Sequence, residues 1–391
     1  MLASADDREV LRAIAAAVGH QTGPIALHEP SFKGREWEYV KECLDTKWVS
    51  SAGRFVELFE QRLQDCTGAQ SAVAVCNGTA ALHLSLVLIG IEPGDEVLVP
   101  ALTFVATANA VAQCGAVPHL VDSDERSLGI DPVKLANHLH LCAERSALGC
   151  MNRYTGRRIR AVVPMHCFGH PVDMEPLLEV AGHYSLTVIE DAAEALGSRY
   201  KGRAAGTIGR LGVLSFNGNK IATTGGGGAI LTNDAELGRR AKHLSATARV
   251  PHPWAYAHDD VAYNYRMPNI NAALGCAQLE NLPDFIEAKR RLLEQYRKAF
   301  SGLRGMKIFV EAGYAYSNYW LNALILDSDE AFRRDRLLAA AHEQGFHLRP
   351  AWTLMHRLPM YTRCPRMDLT TAEDLERRLI SLPSSAFFGR E

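Results

Sequence analysis

The chain has 391 residues, 47% hydrophobic and 22% charged, enough for a large core in one or two domains and unlike a disordered composition. A formal net charge of -2 supplies no global field for nucleic acid or an anionic membrane, so any phosphate must meet a local cradle. Nine cysteines, an odd number without a Cys-x-x-Cys pair, argue against a disulfide framework and a zinc cluster; they fit a reducing cytoplasm, and no metal site is expected.

Asp6, Asp7 and Glu9 stand where a signal peptide would be basic and then apolar. The first thirty residues, helical over Glu9 to Val18, are expected to lie against a C-terminal domain or a partner. The most apolar window, Ser71 to Ile91, contains Asn77, Gly78 and His83. It therefore divides into a strand and a helix and does not span a bilayer.

From about residue 71 to 234, short β-branched runs alternate with helical patterns. Strand Ala72 to Val75 precedes a helix from Ala80, and Glu96 to Val99 precedes Ala106 to Gln113. Strands then fall at Val117 to Val121 and at Ala161 to Val163, the latter followed by a helix over Met174 to His183. Leu186 to Ile189, Val213 to Phe216 and Ala229 to Leu231 complete the series. The alternation predicts an α/β protein with a largely parallel, buried sheet, whose ligands lie at the carboxyl ends of strands. Beyond about residue 265 come charged amphipathic helices over Asn271 to Arg291 and Asp329 to Gln344, with strand Asn322 to Leu326 between them. The expected division is a segment 1–30, a large domain 31–265 and a smaller α+β domain 266–391.

Several loops carry chemistry. In Cys76-Asn-Gly-Thr-Ala-Ala81, Gly78 and Thr79 open a helix with free N–H groups and a hydroxyl, which suits a phosphate; read alone, the turn serves equally as an N-cap. Phe104 follows a strand and can stack on a flat ring or simply fill the core. His166 and His170 also follow a strand; they are candidates to touch substrate, with scattered polar loop residues the better default reading and nothing in their spacing to indicate a metal. Asp191 ends an apolar strand. Lys220, after Ser215-Phe-Asn-Gly-Asn, leads into four glycines, Gly225 to Gly228. A fixed acid and an amine in that order read as the two poles of a pyridoxal phosphate site: the amine holds the aldehyde and the acid keeps the pyridine nitrogen protonated.

In order, Asn77-Gly-Thr-Ala-Ala-Leu82, Gly94-Asp-Glu-Val97 with Pro100 to Phe104, Glu190-Asp-Ala-Ala193, Ser215 to Lys220, Thr223-Thr-Gly-Gly-Gly-Gly228, and Tyr263-Asn-Tyr-Arg-Met267 with Asn271-Ala-Ala-Leu-Gly275 resemble the DegT/DnrJ/EryC1/StrS sugar aminotransferases. That resemblance implies the type I (aspartate aminotransferase) fold. It implies Lys220 as the lysine bonded to pyridoxal phosphate, Asp191 as partner of the ring nitrogen and Phe104 as the stacking residue. Gly78, Thr79 and Ser215 surround the phosphate, and Asn264 reaches it from the neighbouring subunit of a homodimer. Glu194 falls where relatives commonly carry Gln or His beside the cofactor's 3-oxygen, and Gly226 replaces a common acidic residue.

His28-Glu-Pro-Ser-Phe32, Trp37 to Phe59, and Ser215 to Lys220 with four glycines resemble the LegC-type subgroup. This implies transfer of an amino group from L-glutamate to C4 of a nucleotide-linked 4-keto-6-deoxy-N-acetylhexosamine, with UDP the favoured nucleotide. Arg349 to His356 and Pro359-Met-Tyr361 resemble the family's substrate-side segment. The alternatives are C3 amination or another deoxysugar reaction on a dTDP- or GDP-sugar, and a non-catalytic nucleotide-sugar sensor. A nicotinamide dinucleotide enzyme is disfavoured, because no Gly-x-Gly-x-x-Gly opens a first strand-helix unit.

Overall fold

A computed structural model describes residues 5–19, 23–146 and 149–389. Its central sheet runs in the order Ser71–Val75, Gly228–Thr232, Leu211–Ser215, Thr187–Asp191, Arg158–Val162, Glu96–Pro100, Val117–Val121. From Leu211–Ser215 to Val117–Val121 the neighbours are all parallel. Gly228–Thr232 is antiparallel to both strands beside it. Glu96–Pro100 and Gly228–Thr232 are buried throughout, as expected for strands covered on both faces, which read as continuous apolar runs.

Helices alternate with these strands. Gly78–Leu88 buries Ala80 to Leu86 and Leu88, so its nearly continuous apolar sequence reflects burial all round and not an amphipathic stripe. Asn77 starts it, its Oδ1 accepting from the Ala80 N–H at 2.8 Å. The expected helices over residues 106–113 and 174–183 are Val105–Gln113 and Met174–His183. No described helix is long and apolar enough to cross a membrane.

In the C-terminal part a second, antiparallel sheet is ordered Met306–Ile308, Asn322–Leu326, Leu379–Leu382, Arg349–Pro350. Val10, Leu11, Ile14 and Val18 of helix Ala5–Val18 join Leu292, Tyr296, Phe300 and Leu337 in one cluster. The N-terminal helix thus buries its apolar face on C-terminal helices.

The single helix expected over 271–291 is two helices, Asn269–Glu280 and Leu282–Phe300. Pro283 sits in the first turn of the second, where its missing N–H costs nothing, whereas in a continuous helix it would clash with the preceding turn. The helix expected from Asp329 begins as a 3₁₀ segment, Ser328–Arg333, and becomes α-helical at Arg334–Glu343. A hairpin of Ala143–Ser146 and Gly149–Asn152, joined to Arg158–Val162, extends the large sheet where no strand was expected.

One backbone approach ties the reversed strand to the first helix. A Cβ on Gly228 would lie 2.5 Å from the carbonyl carbon and oxygen of Asn77 and 2.7 Å from the Gly78 nitrogen. No side chain there has a flexible neighbour to push aside. Gly228→Ala is expected to lower unfolding free energy by about 1–3 kcal/mol in urea titrations, the usual cost of overpacking; an unchanged midpoint would contradict this packing.

Candidate active site

The carboxyl ends of the parallel strands open into a pocket of about 340 Å³. Gly78, Thr79, Phe104, Asp191, Glu194, Ser215 and Lys220 all line it. Residues separated in sequence by up to three strand-helix units meet because parallel strands end on the same side of the sheet.

Asp191 ends the Thr187–Asp191 strand and is only 3% exposed. Its Oδ2 accepts from the Thr107 hydroxyl at 2.7 Å, and its Oδ1 from the Ala193 N–H at 3.2 Å. Thr107 also lies 2.9 Å from the Thr103 hydroxyl. Burial pushes the Asp191 pKa upward; the Thr107 hydroxyl, the Ala193 N–H and the positive charge of Lys220 oppose that shift. The result is a buried carboxylate of fixed orientation that a further positive charge would stabilise.

Lys220 faces it from a turn after Leu211–Ser215. Its Nζ lies 3.2 Å from Glu194 Oε1 and 3.9 Å from the centre of the Trp320 ring. The Trp320 indole is held by its N–H donating to the Asn219 carbonyl at 2.7 Å. Glu194 accepts the Phe168 N–H on its other oxygen at 2.8 Å. Burial raises the Glu194 pKa to about 7 despite Lys220 and that N–H.

A third group forms an anion cradle. Gly78 and Thr79 begin their helix, so their N–H groups have no intrahelical acceptor and the helix dipole favours negative charge there. A Cβ on Gly78 would lie 3.0 Å from Ser215 Cβ; glycine lets the helix start close against Ser215. Phe104, half exposed, lies 6.4 Å from the Trp352 ring at 61° and presents a face at the pocket mouth.

The chain matches the DegT/DnrJ/EryC1/StrS aminotransferase family over residues 30–391. It is 38% identical over 367 residues to a GDP-perosamine synthase of Escherichia coli O157:H7, covering 94% of this chain and 95% of that protein. It is 39% identical over 364 residues to a GDP-perosamine synthase of Caulobacter vibrioides, covering 93% of each. Among solved structures, the aminotransferase TlmJ from Streptoalloteichus hindustanus superposes with a TM-score of 0.83 at 28% identity, covering 93% of this chain and 94% of that one.

The chain belongs to the DegT/DnrJ/EryC1/StrS aminotransferase family. It has the type I pyridoxal phosphate transferase fold and is a pyridoxal phosphate-dependent sugar aminotransferase, an enzyme that takes a nucleotide sugar and an amino donor. The pocket of this DegT-family aminotransferase fits such a cofactor: it offers an amine, a buried carboxylate that a further positive charge would stabilise, an exposed aromatic face and a helix start for a phosphate.

Asn264, expected to reach the phosphate of a neighbouring subunit, is exposed and does not line its own chain's pocket. His166 is buried; its Nε2 bonds Glu190 at 2.9 Å and its Nδ1 accepts the Val172 N–H at 3.1 Å, so neither nitrogen is left for substrate. His170 is buried between Phe309 and Tyr319, at ring distances of 4.7 and 5.1 Å, and burial lowers its pKa to about 3. Both histidines are parts of the core.

Conversely, Thr107, Trp320 and Trp352 are site residues that the sequence did not single out. Thr107 lay in the first turn of the helix expected over 106–113, and its spacing of four from Thr103, just before that helix, was the available signal. Trp352 lay in the substrate-side segment without an assigned contact. Nothing local marked Trp320.

Glu194 gives the site a pH signature. Its pKa of about 7 in the cofactor-free fold exceeds its ordinary 4.5, so its contribution to stability is complete below 4.5 and is lost as pH rises through 7. In the cofactor-free protein, Glu194→Gln is expected to match wild type near pH 4.5 and to become the more stable form by pH 7–8, by roughly 2–4 kcal/mol. Urea unfolding of both proteins across that range checks this; a constant difference between them would refute it.

Proposed function

We propose that the enzyme transfers an amino group from L-glutamate to C4 of a GDP-linked 4-keto-6-deoxyhexose. The observation that carries this reading is the 38% and 39% identity, over nearly the full chain, to two GDP-perosamine synthases, named for a 4-amino sugar on GDP. A UDP-linked N-acetylhexosamine is the second reading. The motifs around His28 and Trp37 favour it, but these relatives do not.

The resident group supplies a carbonyl that takes up the amine and an electron-poor ring that delocalises the charge left when a proton departs. In this reading Lys220 holds that carbonyl and, once displaced, uses Nζ as the proton carrier. It takes the proton from the glutamate Cα and later delivers one to sugar C4. Its 3.2 Å contact with Glu194 and its place over the Trp320 ring keep the amine within the pocket. Asp191, oriented by Thr107, would keep the ring nitrogen protonated, an arrangement that would also relieve its own burial. Phe104 would cover the ring, Glu194 would lie beside the 3-oxygen, and Gly78, Thr79 and Ser215 would hold the phosphate.

We further propose that the working unit is a homodimer in which Asn264 completes the neighbour's phosphate site. Two features support this: Asn264 is exposed and outside its own pocket, and Trp37, Trp48, Trp254, Tyr256 and Val261 leave large apolar side chains uncovered on one chain. The remaining proposals are the division into segments 1–30, 31–265 and 266–391, and a cytoplasmic location.

Two measurements test these statements. Incubation with L-glutamate and a panel of GDP-, UDP- and dTDP-linked 4-keto sugars should give a mass gain and C4–N connectivity by NMR with the GDP-sugar, at a kcat/KM at least tenfold above the others. Preference for a UDP-N-acetyl sugar would select the second reading, and amination at C3 would overturn both. Separately, Lys220→Ala and Asn264→Ala are each expected to be impaired. Unfolding and refolding a mixture should restore activity that neither has alone, because each hybrid dimer contains one complete site. No restoration, with dimers formed, would contradict the shared site.

A further inference from the structure

Three donors gather far from the pocket, on the outer part of the large sheet. His119 lies within strand Val117–Val121, paired with Leu98. His138 and Cys142 lie one turn apart on helix Pro132–Cys142, which packs over that strand. His119 Nε2 is 2.8 Å from His138 Nε2, the Cys142 sulfur is 3.4 Å from the same nitrogen, and all three donor atoms fall within 4.8 Å of one another. His119 and Cys142 are buried, whereas His138 is partly exposed and leaves a path to solvent.

We propose that His119, His138 and Cys142 form a divalent transition-metal site, suited best to zinc, that pins this helix to the sheet edge. Two imidazoles and a thiolate are a borderline-soft set that selects zinc over magnesium or calcium. A tetrahedral ion with ordinary Zn–N and Zn–S bonds needs N···N of about 3.3 Å and N···S of about 3.6 Å. The two observed gaps need only open by a few tenths of an ångström. The fourth position falls to water.

What distinguishes this cluster from a chance pair of histidines is the support behind it. His119 Nδ1 is 2.8 Å from Glu96 Oε2, and Glu96 is fully buried. Glu96 is itself fixed by the Asn152 amide at 2.8 Å and the Thr155 hydroxyl at 2.6 Å, with Arg157 3.8 Å from its other side. A carboxylate only accepts, so Nδ1 carries the proton and Nε2 presents its lone pair toward His138. Carboxylate, histidine and vacant lone pair in line is the arrangement that orients metal-binding imidazoles. Without metal, His138 Nε2–H donates to that lone pair. On binding, the His138 proton moves to the other ring nitrogen and Cys142 loses its thiol proton to solvent. Thiolate and Glu96 together then balance the two positive charges of the ion.

The role is mechanical. Cys142 ends its helix and leads directly into the hairpin of Ala143–Ser146 and Gly149–Asn152. Glu96 stands at the amino end of its strand, whereas the pocket is at the carboxyl ends. A metal here would brace the outer edge of the sheet without touching the reacting groups.

Holoenzyme stripped with a chelator and titrated with zinc against a chromophoric competitor should bind one equivalent per chain and gain thermal stability. Cobalt(II) in its place should give the intense visible bands of a tetrahedral site, read in the red where the cofactor does not absorb. His138→Ala and Cys142→Ser should each weaken binding at least tenfold, and Glu96→Gln about 10–100-fold. Cofactor absorbance and transaminase activity of His138→Ala, an edge substitution on a partly exposed residue, serve as the folding control and should be retained. Absence of saturable binding, an octahedral cobalt spectrum, or wild-type affinity in the His138→Ala and Cys142→Ser variants would overturn the site.

Discussion

A carboxylate almost sealed from water at the end of a central strand is the constraint around which this enzyme is arranged. Ionising Asp191 there is costly unless its oxygens are met, and the fold meets them with the Thr107 hydroxyl and the Ala193 N–H. Thr107 can do this because helix Val105–Gln113 starts just past the carboxyl end of strand Glu96–Pro100, which puts its first turn beside the end of strand Thr187–Asp191. A protonated heterocycle beside Asp191 would add a further positive charge, with Lys220 on the facing turn in place to hold the reacting end.

The rest of the pocket follows from the same end of the same sheet. The reversed strand Gly228–Thr232 passes against the Asn77 turn so closely that only glycine fits, which fixes the start of helix Gly78–Leu88 beside Ser215. Rigid elements thus place the anion cradle, the acid and the amine, while Phe104 and Trp352 at the mouth remain accessible. The more open rim is where solvent-facing residues can vary without disturbing the groups behind it. Glu96, which supports the His119, His138 and Cys142 cluster, stands at the amino end of its strand, away from that rim.

Much of this was legible because buried parallel strands write themselves as short continuous apolar runs. Strand Val117–Val121, helix Met174–His183 and strand Asn322–Leu326 stand where the sequence places them. The strand pair Ala143–Ser146 and Gly149–Asn152 escaped because Glu144, Arg145 and Ser146 are exposed polar residues with no apolar alternation to mark a strand. The break at Asn281 escaped because Pro283 is compatible with a helix start as well as with a kink. Within the site, Lys220 and Asp191 were visible as a motif, whereas Trp320 reaches Lys220 only through tertiary packing. His166 and His170, which the sequence leaves open between touching substrate and ordinary polar positions, are core residues, one bonded to Glu190 and the other packed against two aromatic rings.

Borohydride reduction of the yellow holoenzyme, digestion and peptide mass spectrometry would show whether one amine, opposite one buried acid, carries the cofactor. The reduced pyridoxyl adduct should fall on Lys220 alone and vanish in Lys220→Ala. An adduct on any other lysine, or none from holoenzyme that turns over, would contradict the account.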